Sequence, residues 1–145
     1  MSGRQFLDTN VLVYSCDSSD VGKQKTALDL IAACSSQGTG VLSVQVLGEF
    51  FHATVVRKKL LTADEAERAV LAFRAAMPVV SVELQDVADA IAIHRQYQTR
   101  YWDSLIIATA AHHGCSEILS EDLNDGQTYN GVLVSNPFRA KAQPA

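Results

Sequence analysis

Short apolar segments alternate with longer amphipathic segments along almost the whole chain, and this alternation constrains the fold more than any other feature. The apolar segments have four or five residues and predict strands, whereas the longer ones begin with helix-capping residues. Strands that alternate with helices are typical of a parallel sheet with helices on both faces. We therefore predict a three-layer α/β/α domain with a central parallel sheet of about five strands.

Capping residues and stop signals set the boundaries of the predicted helices. Residues 18–20 (Ser-Ser-Asp) offer N-caps for a helix that runs to about Ser36, with Gly38 as its stop. Thr62 and Glu65 form a capping box. The predicted strands are 4–8, 40–43, 79–82, 117–120 and 131–135. The other predicted helices are 44–59, 62–77, 83–98 and 102–113.

The composition limits the class of protein. With 145 residues, of which 48% are hydrophobic, the chain fits one domain over residues 1–138 and a C-terminal tail at 139–145. The N-terminus shows no signal peptide, and the longest apolar run, Leu105–Ala111, is far short of a membrane span, so no membrane partner is expected. Three cysteines without CxxC spacing favour free thiols in the cytoplasm. The formal charge of −4 argues against a globally basic nucleic-acid surface but leaves nucleic acid open as a substrate.

Four acidic residues are predicted to share one edge of the sheet. Asp8 ends the first strand and Asp122 follows the fourth, at the carboxyl edge where ligands bind in such sheets. Asp103 begins a helix whose far end leads into the fourth strand, which places this residue at the same edge. Glu49 lies six residues past the end of the second strand, within reach of that edge.

Each acid has a simpler interpretation when it is taken alone. Asp103 can stabilise a helix dipole, Asp122 can be a turn residue and Glu49 can be a solvated helix position. Asp8 resists such an explanation, because a carboxylate at the end of a central strand has poor access to water. Four carboxylates at one edge repel one another, and a divalent cation removes that repulsion. Hard oxygen ligands favour Mg²⁺ or Mn²⁺, which can activate water against an RNA phosphodiester.

The segments "FLDTNVLVY", "SVQVLGEFF", "YWDSLIIATA" and "LSEDLNDGQ…GVLVSNPF" together resemble the PIN-domain ribonucleases, especially the VapC-type toxins of toxin–antitoxin pairs. The resemblance covers nearly the whole chain in the family's order and spacing. It implies a PIN-like domain and a metal-dependent endoribonuclease that is dimeric and is inhibited by an antitoxin.

The resemblance also assigns roles to individual residues. The quartet that it implies for metal binding and catalysis is Asp8, Glu49, Asp103 and Asp122. The residues that it implies behind these ligands are the hydroxyl-bearing Thr9 and Ser120, with Asn10 bracing the loop. Asp125 is a candidate extra acid, although "NDG" is also an ordinary turn.

Several residues are candidates for contact with RNA. Arg57, Lys58 and Lys59 form the only basic run in the sequence, which is usually a solvated helix end but can also contact phosphate. Arg100 is a further candidate on electrostatic grounds. Trp102, beside the proposed ligand Asp103, is the best aromatic candidate for contacting the substrate.

Other folds and roles share some of these features. A haloacid-dehalogenase-like phosphatase would need a second acid at position 10, where this chain has Asn10. A receiver domain would need an Asp after the third strand and a Lys after the fifth, and "VVSVELQ" and "LVSNPF" supply neither. A housekeeping PIN nuclease without an antitoxin and a PIN-like RNA-binding scaffold without catalysis remain open as alternatives.

Two protein partners are predicted besides RNA. The helices "VQVLGEFFHATVV" and "AVLAFRAAM" offer more apolar surface than one side of a sheet can cover, which favours a homodimer. An antitoxin can inhibit by inserting Arg or Lys between Asp8, Asp103 and Asp122 and so displacing Mg²⁺.

Overall fold

A central sheet of six strands with helices packed around it organises the computed structural model, which describes residues 3–139. The strands are β1 (Arg4–Leu7), β2 (Gly40–Ser43), β3 (Val79–Val80), β4 (Cys115–Leu119), β5 (Thr128–Tyr129) and β6 (Val132–Ser135). The helices are α1 (Thr9–Ser15), α2 (Val21–Gln37), α3 (Val44–Phe51), α4 (Ala63–Ala76), α5 (Leu84–Tyr97) and α6 (Tyr101–His112), with a π-helix (His52–Arg57) after α3. The predicted α/β class is confirmed.

The strand order is β3–β2–β1–β4–β6–β5, and all neighbouring strands except β5 and β6 are parallel. Leu119 pairs with Leu7 on one side and with Ser135 on the other. The backbone N–H of Asp8 donates to the carbonyl of Leu119 over 3.0 Å, and that of Ser120 donates to the carbonyl of Ser135 over 3.1 Å. The residues that follow β1 and β4 are therefore neighbours at the carboxyl edge.

Both faces of the sheet are covered. Phe6 and Leu7 are consecutive in β1 and point to opposite faces, and both are fully buried. The same holds for Val41 and Leu42 in β2. Helix α6 packs against β4 and is buried along the whole stretch 103–110. Such double burial explains why the strands read as continuous apolar runs.

Helix α1 was not predicted from the sequence. Asp8 is its N-cap, and the next residues turn into a helix directly after β1. Val11, Leu12 and Val13 are consecutive and all buried, so the apolar residues of this seven-residue helix do not show a helical period.

The structure also divides or adds elements elsewhere. The predicted helix 44–59 is α-helical only to Phe51 and continues as the π-helix. Strand β5 was missed because it has two residues; it pairs antiparallel with β6 through a turn at Asn130 and Gly131, whose φ angles are 48° and 82°. The sheet thus has six strands rather than about five.

No helix among residues 3–139 is both long and apolar enough to cross a membrane. Of the predicted tail 139–145, only Arg139 falls within the described residues.

Candidate active site

Asp8 is a buried carboxylate at the junction of β1 and α1. The residue is 3% exposed; Oδ1 accepts from the backbone N–H of Thr9 over 2.7 Å and Oδ2 accepts from Oγ of Ser120 over 2.6 Å. Burial raises the pKa of Asp8 to about 7, the two hydrogen bonds oppose this, and the charges of Asp122 and Asp103 add to it. No Lys, Arg or His among residues 3–139 forms a salt bridge with Asp8.

The loop after β4 is tied to Asp8 through Ser120. The Ser120 hydroxyl donates to Asp8 and accepts from the backbone N–H of Asp122 over 3.1 Å. Asn10 braces the same loop: its Nδ2 donates to Oδ2 of Asp122 over 3.2 Å, and its Oδ1 accepts from the backbone N–H of Glu121 over 3.3 Å. Asp122 is exposed, so its carboxylate faces solvent beside the buried Asp8.

Glu49 reaches this edge from α3 and is half-buried. Its Oε2 accepts from Oγ1 of Thr9 over 2.7 Å, and its Oε1 accepts from Nε2 of Gln45 over 2.9 Å. Gln45 also donates to the carbonyl of Trp102 over 3.2 Å. These hydrogen bonds connect α3 with the starts of α1 and α6. Sequence periodicity alone did not predict these connections.

Asp103 lies at the same edge but binds a cation of the chain itself. Arg100 Nε donates to Oδ2 over 3.0 Å and Nη2 donates to Oδ1 over 3.3 Å. In the part of the chain that the structure describes, no three acidic, His or Cys side chains are arranged to hold a metal ion. The carboxylates of Asp103 and Glu49 instead accept hydrogen bonds from donors of the protein itself.

A cavity of about 630 Å³ opens beside these acids. Glu49, Glu121 and Asp122 line its acidic side. Its basic and polar lining includes His52, Arg57, Lys58, Arg100 and the exposed Trp102. Of the predicted basic run, Arg57 and Lys58 face this cavity, whereas Lys59 is not among its lining residues.

Asp125 is engaged elsewhere. Its Oδ1 accepts from the backbone N–H of Asn136 over 2.9 Å, and its Oδ2 pairs with Nη1 of Arg139 over 3.0 Å. The Asn136 bond is the main cause of the lowered pKa of Asp125. The carboxylate thus closes the loop between β4 and β6.

One polar cluster on the cavity wall was missed from the sequence. The Tyr14 hydroxyl donates to Glu121 Oε1 over 2.6 Å, and Lys23 Nζ pairs with Glu121 Oε2 over 2.7 Å. Burial tends to raise the pKa of Glu121, but the bonds from Lys23 and Tyr14 outweigh it and lower that pKa. Lys23 also lies 4.7 Å from the centroid of the Tyr14 ring. These residues come from three separate elements, so no local sequence pattern signals them.

The sequence model of the PIN domain matches residues 6–125 of this chain. That span contains all four predicted acids and Asp125. No curated protein matches the chain significantly.

Several solved structures share the fold. The sarcin–ricin-loop-cleaving toxin VapC20 of Mycobacterium tuberculosis is 21% identical, with a TM-score of 0.63 over 81% of this chain and 89% of that chain. DNA-bound VapBC from Salmonella typhimurium is 14% identical, with a TM-score of 0.70 over 94% and 99%. A toxin–antitoxin complex from Klebsiella pneumoniae is 20% identical, with a TM-score of 0.65 over 94% and 99%. At these identities the likeness establishes a common fold.

Proposed function

This chain belongs to the PIN domain family, and from that premise we propose that it is a divalent-metal-dependent endoribonuclease of the VapC toxin type. The observation that carries the proposal is Asp8, a buried carboxylate with a pKa raised to about 7 at the edge of the sheet where Glu49, Asp103 and Asp122 also lie. Burying the ionised carboxylate of Asp8 without a salt-bridge partner lowers the stability of the fold, so folding by itself gives no reason for an acid at this position. A site for a cation accounts for it.

The donor atoms of these residues are of the kind that suits Mg²⁺ or Mn²⁺. Asp8, Asp103 and Asp122 would hold the ion together with Glu49, and all four supply the hard oxygen ligands that these ions prefer. When bound, the ion supplies positive charge that lowers the pKa of water and offsets the charge of the phosphodiester.

The neighbouring polar side chains orient the carboxylates. The Ser120 hydroxyl donates to one oxygen of Asp8, and the backbone N–H of Asp122 donates to the same hydroxyl and so orients it. Thr9 holds Glu49, and Asn10 holds Asp122. These bonds limit the rotation of each carboxylate before the substrate arrives, which lowers the cost of assembling the site.

The cavity supports RNA as the substrate. Arg57 and Lys58 line the same cavity as Glu49 and Asp122, where their positive charge can contact a phosphate of the strand. Trp102 is 61% exposed in the same cavity and offers a face for base stacking. We propose that RNA binding in this cavity uses the local charge of these basic residues, so that the net charge of −4 does not oppose it.

The toxin role is supported by the structural neighbours, which include toxins and toxin–antitoxin complexes. We propose that an antitoxin inhibits this chain by placing an Arg or Lys side chain among Asp8, Asp103 and Asp122. The partner and the metal would then compete for the same oxygens, so inhibition weakens as Mg²⁺ rises.

In this proposal water is the nucleophile, and no covalent bond forms between the enzyme and the RNA. Cleavage of ribosomal RNA in Mg²⁺ is therefore expected to leave 5′-phosphate and 3′-hydroxyl ends. Asp8→Asn is expected to abolish cleavage, whereas Asp29→Asn, on the exposed face of α2, keeps it. End mapping that finds 2′,3′-cyclic phosphates rejects the hydrolytic mechanism, because those ends require attack by the 2′-hydroxyl of the RNA. Absence of cleavage with any RNA tested would instead favour a binding scaffold.

A further inference from the structure

Helix α6 begins with an unusual residue. Its N-cap is Arg100, whose side chain makes no capping bond to the helix backbone. Ser, Thr, Asp and Asn are the preferred N-caps, and a cation at a helix N-terminus is disfavoured by the helix dipole. The helix thus carries a residue at its start that local stability does not explain.

The acid in the first turn of α6 is also used in an unusual way. In α4, Glu65 accepts from the backbone N–H of the N-cap Thr62 over 2.9 Å, and in α5, Asp86 does the same for Glu83 over 2.8 Å. Asp103 occupies the equivalent third position of α6, yet its oxygens accept from the Arg100 guanidinium. Helix capping therefore does not account for Asp103 or for its partner.

The Arg100 side chain is able to leave Asp103 without disturbing the core. It is 75% exposed, whereas the Asp103 side chain is 11% exposed. Arg100 lines both the 630 Å³ cavity and a neighbouring cavity of about 240 Å³, and Asp122 lines both as well. The guanidinium therefore lies between the candidate metal ligands and open space.

We propose that Arg100 is a positioning residue that acts as an internal counter-cation: it holds Asp103 in the metal-free protein, and binding of a divalent metal displaces it. This inference rests on the proposed function, since it takes Asp103 as a metal ligand. It deepens that function by making metal affinity the outcome of a competition between the ion and Arg100 for the Asp103 oxygens.

Metal affinity measured by Mn²⁺ titration calorimetry tests this competition. Arg100→Gln removes the competing charge and is expected to bind Mn²⁺ about fivefold more tightly than the wild-type chain. Arg100→Lys keeps the charge but loses the two-pronged geometry, so its affinity is expected to fall between the two. The matched control is Arg74→Gln, which removes the same charge from the exposed face of α4 and should leave the affinity unchanged. Wild-type affinity in Arg100→Gln, or an equal gain in Arg74→Gln, would overturn the inference.

A second readout follows the pair itself. The Nε–H resonance of Arg100, assigned by its absence from the spectrum of Arg100→Gln, is expected to be visible without metal and to shift or broaden on addition of Mg²⁺. If Mg²⁺ shifts the backbone amides of Asp8 and Asp122 but leaves this resonance unchanged, the inference fails while the proposed function stands. If Asp8→Asn binds Mn²⁺ as the wild type does, the proposed function fails, and the inference fails with it.

Discussion

The hydroxyl of Ser120 donates a hydrogen bond of 2.6 Å to Oδ2 of Asp8, although 112 positions separate the two residues in the chain. The contact exists because β1 and β4 are parallel neighbours and both end at the same edge of the sheet. It is a charge-assisted bond to a buried carboxylate, which is stronger than a bond between neutral groups.

Ser120→Ala is expected to weaken metal binding near neutral pH. The bond from Ser120 lowers the pKa of Asp8, so its loss moves that pKa further above about 7 and leaves more of the carboxyl protonated. Mn²⁺ affinity at pH 7 should fall several-fold, because a smaller fraction of the carboxyl is ionised, and it should recover as the pH rises above 8. Ser135→Ala is the matched control, because its hydroxyl bonds Glu117 instead of Asp8. A loss of affinity that is independent of pH would contradict this explanation.

Asp8→Asn is expected to flatten the pH dependence of metal-free stability. The folded-state pKa of Asp8 is raised from 3.8 to about 7, so the folded protein binds this proton more tightly than the unfolded chain does. The resulting contribution to the free energy of unfolding is fully present below about pH 4 and is lost as the pH rises through 7. The loss has an upper limit of about 4 kcal/mol, from about 1.4 kcal/mol for each pKa unit.

Urea denaturation in EDTA between pH 4 and pH 8.5 measures this effect. The free energy of unfolding of Asp8→Asn, relative to wild type, should increase across that range, and Asp29→Asn should show no such trend. A constant difference between Asp8→Asn and wild type would mean that Asp8 ionises normally in the folded protein.

Asp86 is expected to be a structural acid. It is fully buried; Oδ2 accepts from the backbone N–H of Glu83, and Oδ1 contacts Nδ1 of His112 over 2.9 Å, which joins α5 to α6. Asp86→Ala should lower the free energy of unfolding by about 2–4 kcal/mol, because it removes both polar contacts of a fully buried side chain. Asp89→Ala, which removes only a surface contact with Gln85, should cost less than about 0.5 kcal/mol. Equal losses in the two variants would contradict this role.

Lys58 and Lys59 are expected to differ in RNA binding although they are adjacent. Lys58 lines the cavity, and Lys59 follows it with a φ of 54°, outside the lining. In an Asp8→Asn background, Lys58→Ala should weaken binding of a labelled single-stranded RNA and reduce the slope of log affinity against log salt by about 0.7. Fluorescence anisotropy at several KCl concentrations gives both quantities. An effect of Lys59→Ala as large as that of Lys58→Ala would reject the cavity as the RNA site.

The chain is expected to form a homodimer through the helices that the sequence singled out. Val44 and Leu71 lie in these helices and are more than half exposed. Sedimentation at micromolar concentration should give about twice 15.7 kDa, and Val44→Arg with Leu71→Arg should give the monomer. Leu84→Arg, at an exposed apolar position in α5, is the control that should stay dimeric. A wild-type monomer throughout this range would contradict the prediction.

The sequence by itself determined the fold class and most helix boundaries. Local signals were sufficient where a residue acts on its own neighbours: Thr62 and Glu65 form the predicted capping box, and Gly38 ends α2 in the left-handed conformation with a φ of 69°. The sequence also placed Asp8 and Asp122 at the carboxyl edge, because strand direction alone decides which end of a strand a residue follows.

Tertiary structure decided the elements that have no local signature. Helix α1 is only seven residues long and buries three consecutive residues, β5 is only two residues long, and the π-helix continues α3 without a break in composition. Tertiary structure also decided the hydrogen-bond partner of each acid: Thr9 for Glu49, Asn10 for Asp122 and Ser120 for Asp8. These pairs join residues 40 or more positions apart, and which of many polar side chains meet depends on how the helices pack around the sheet. A one-dimensional pattern records the direction and period of each element, but it does not record the distances between elements.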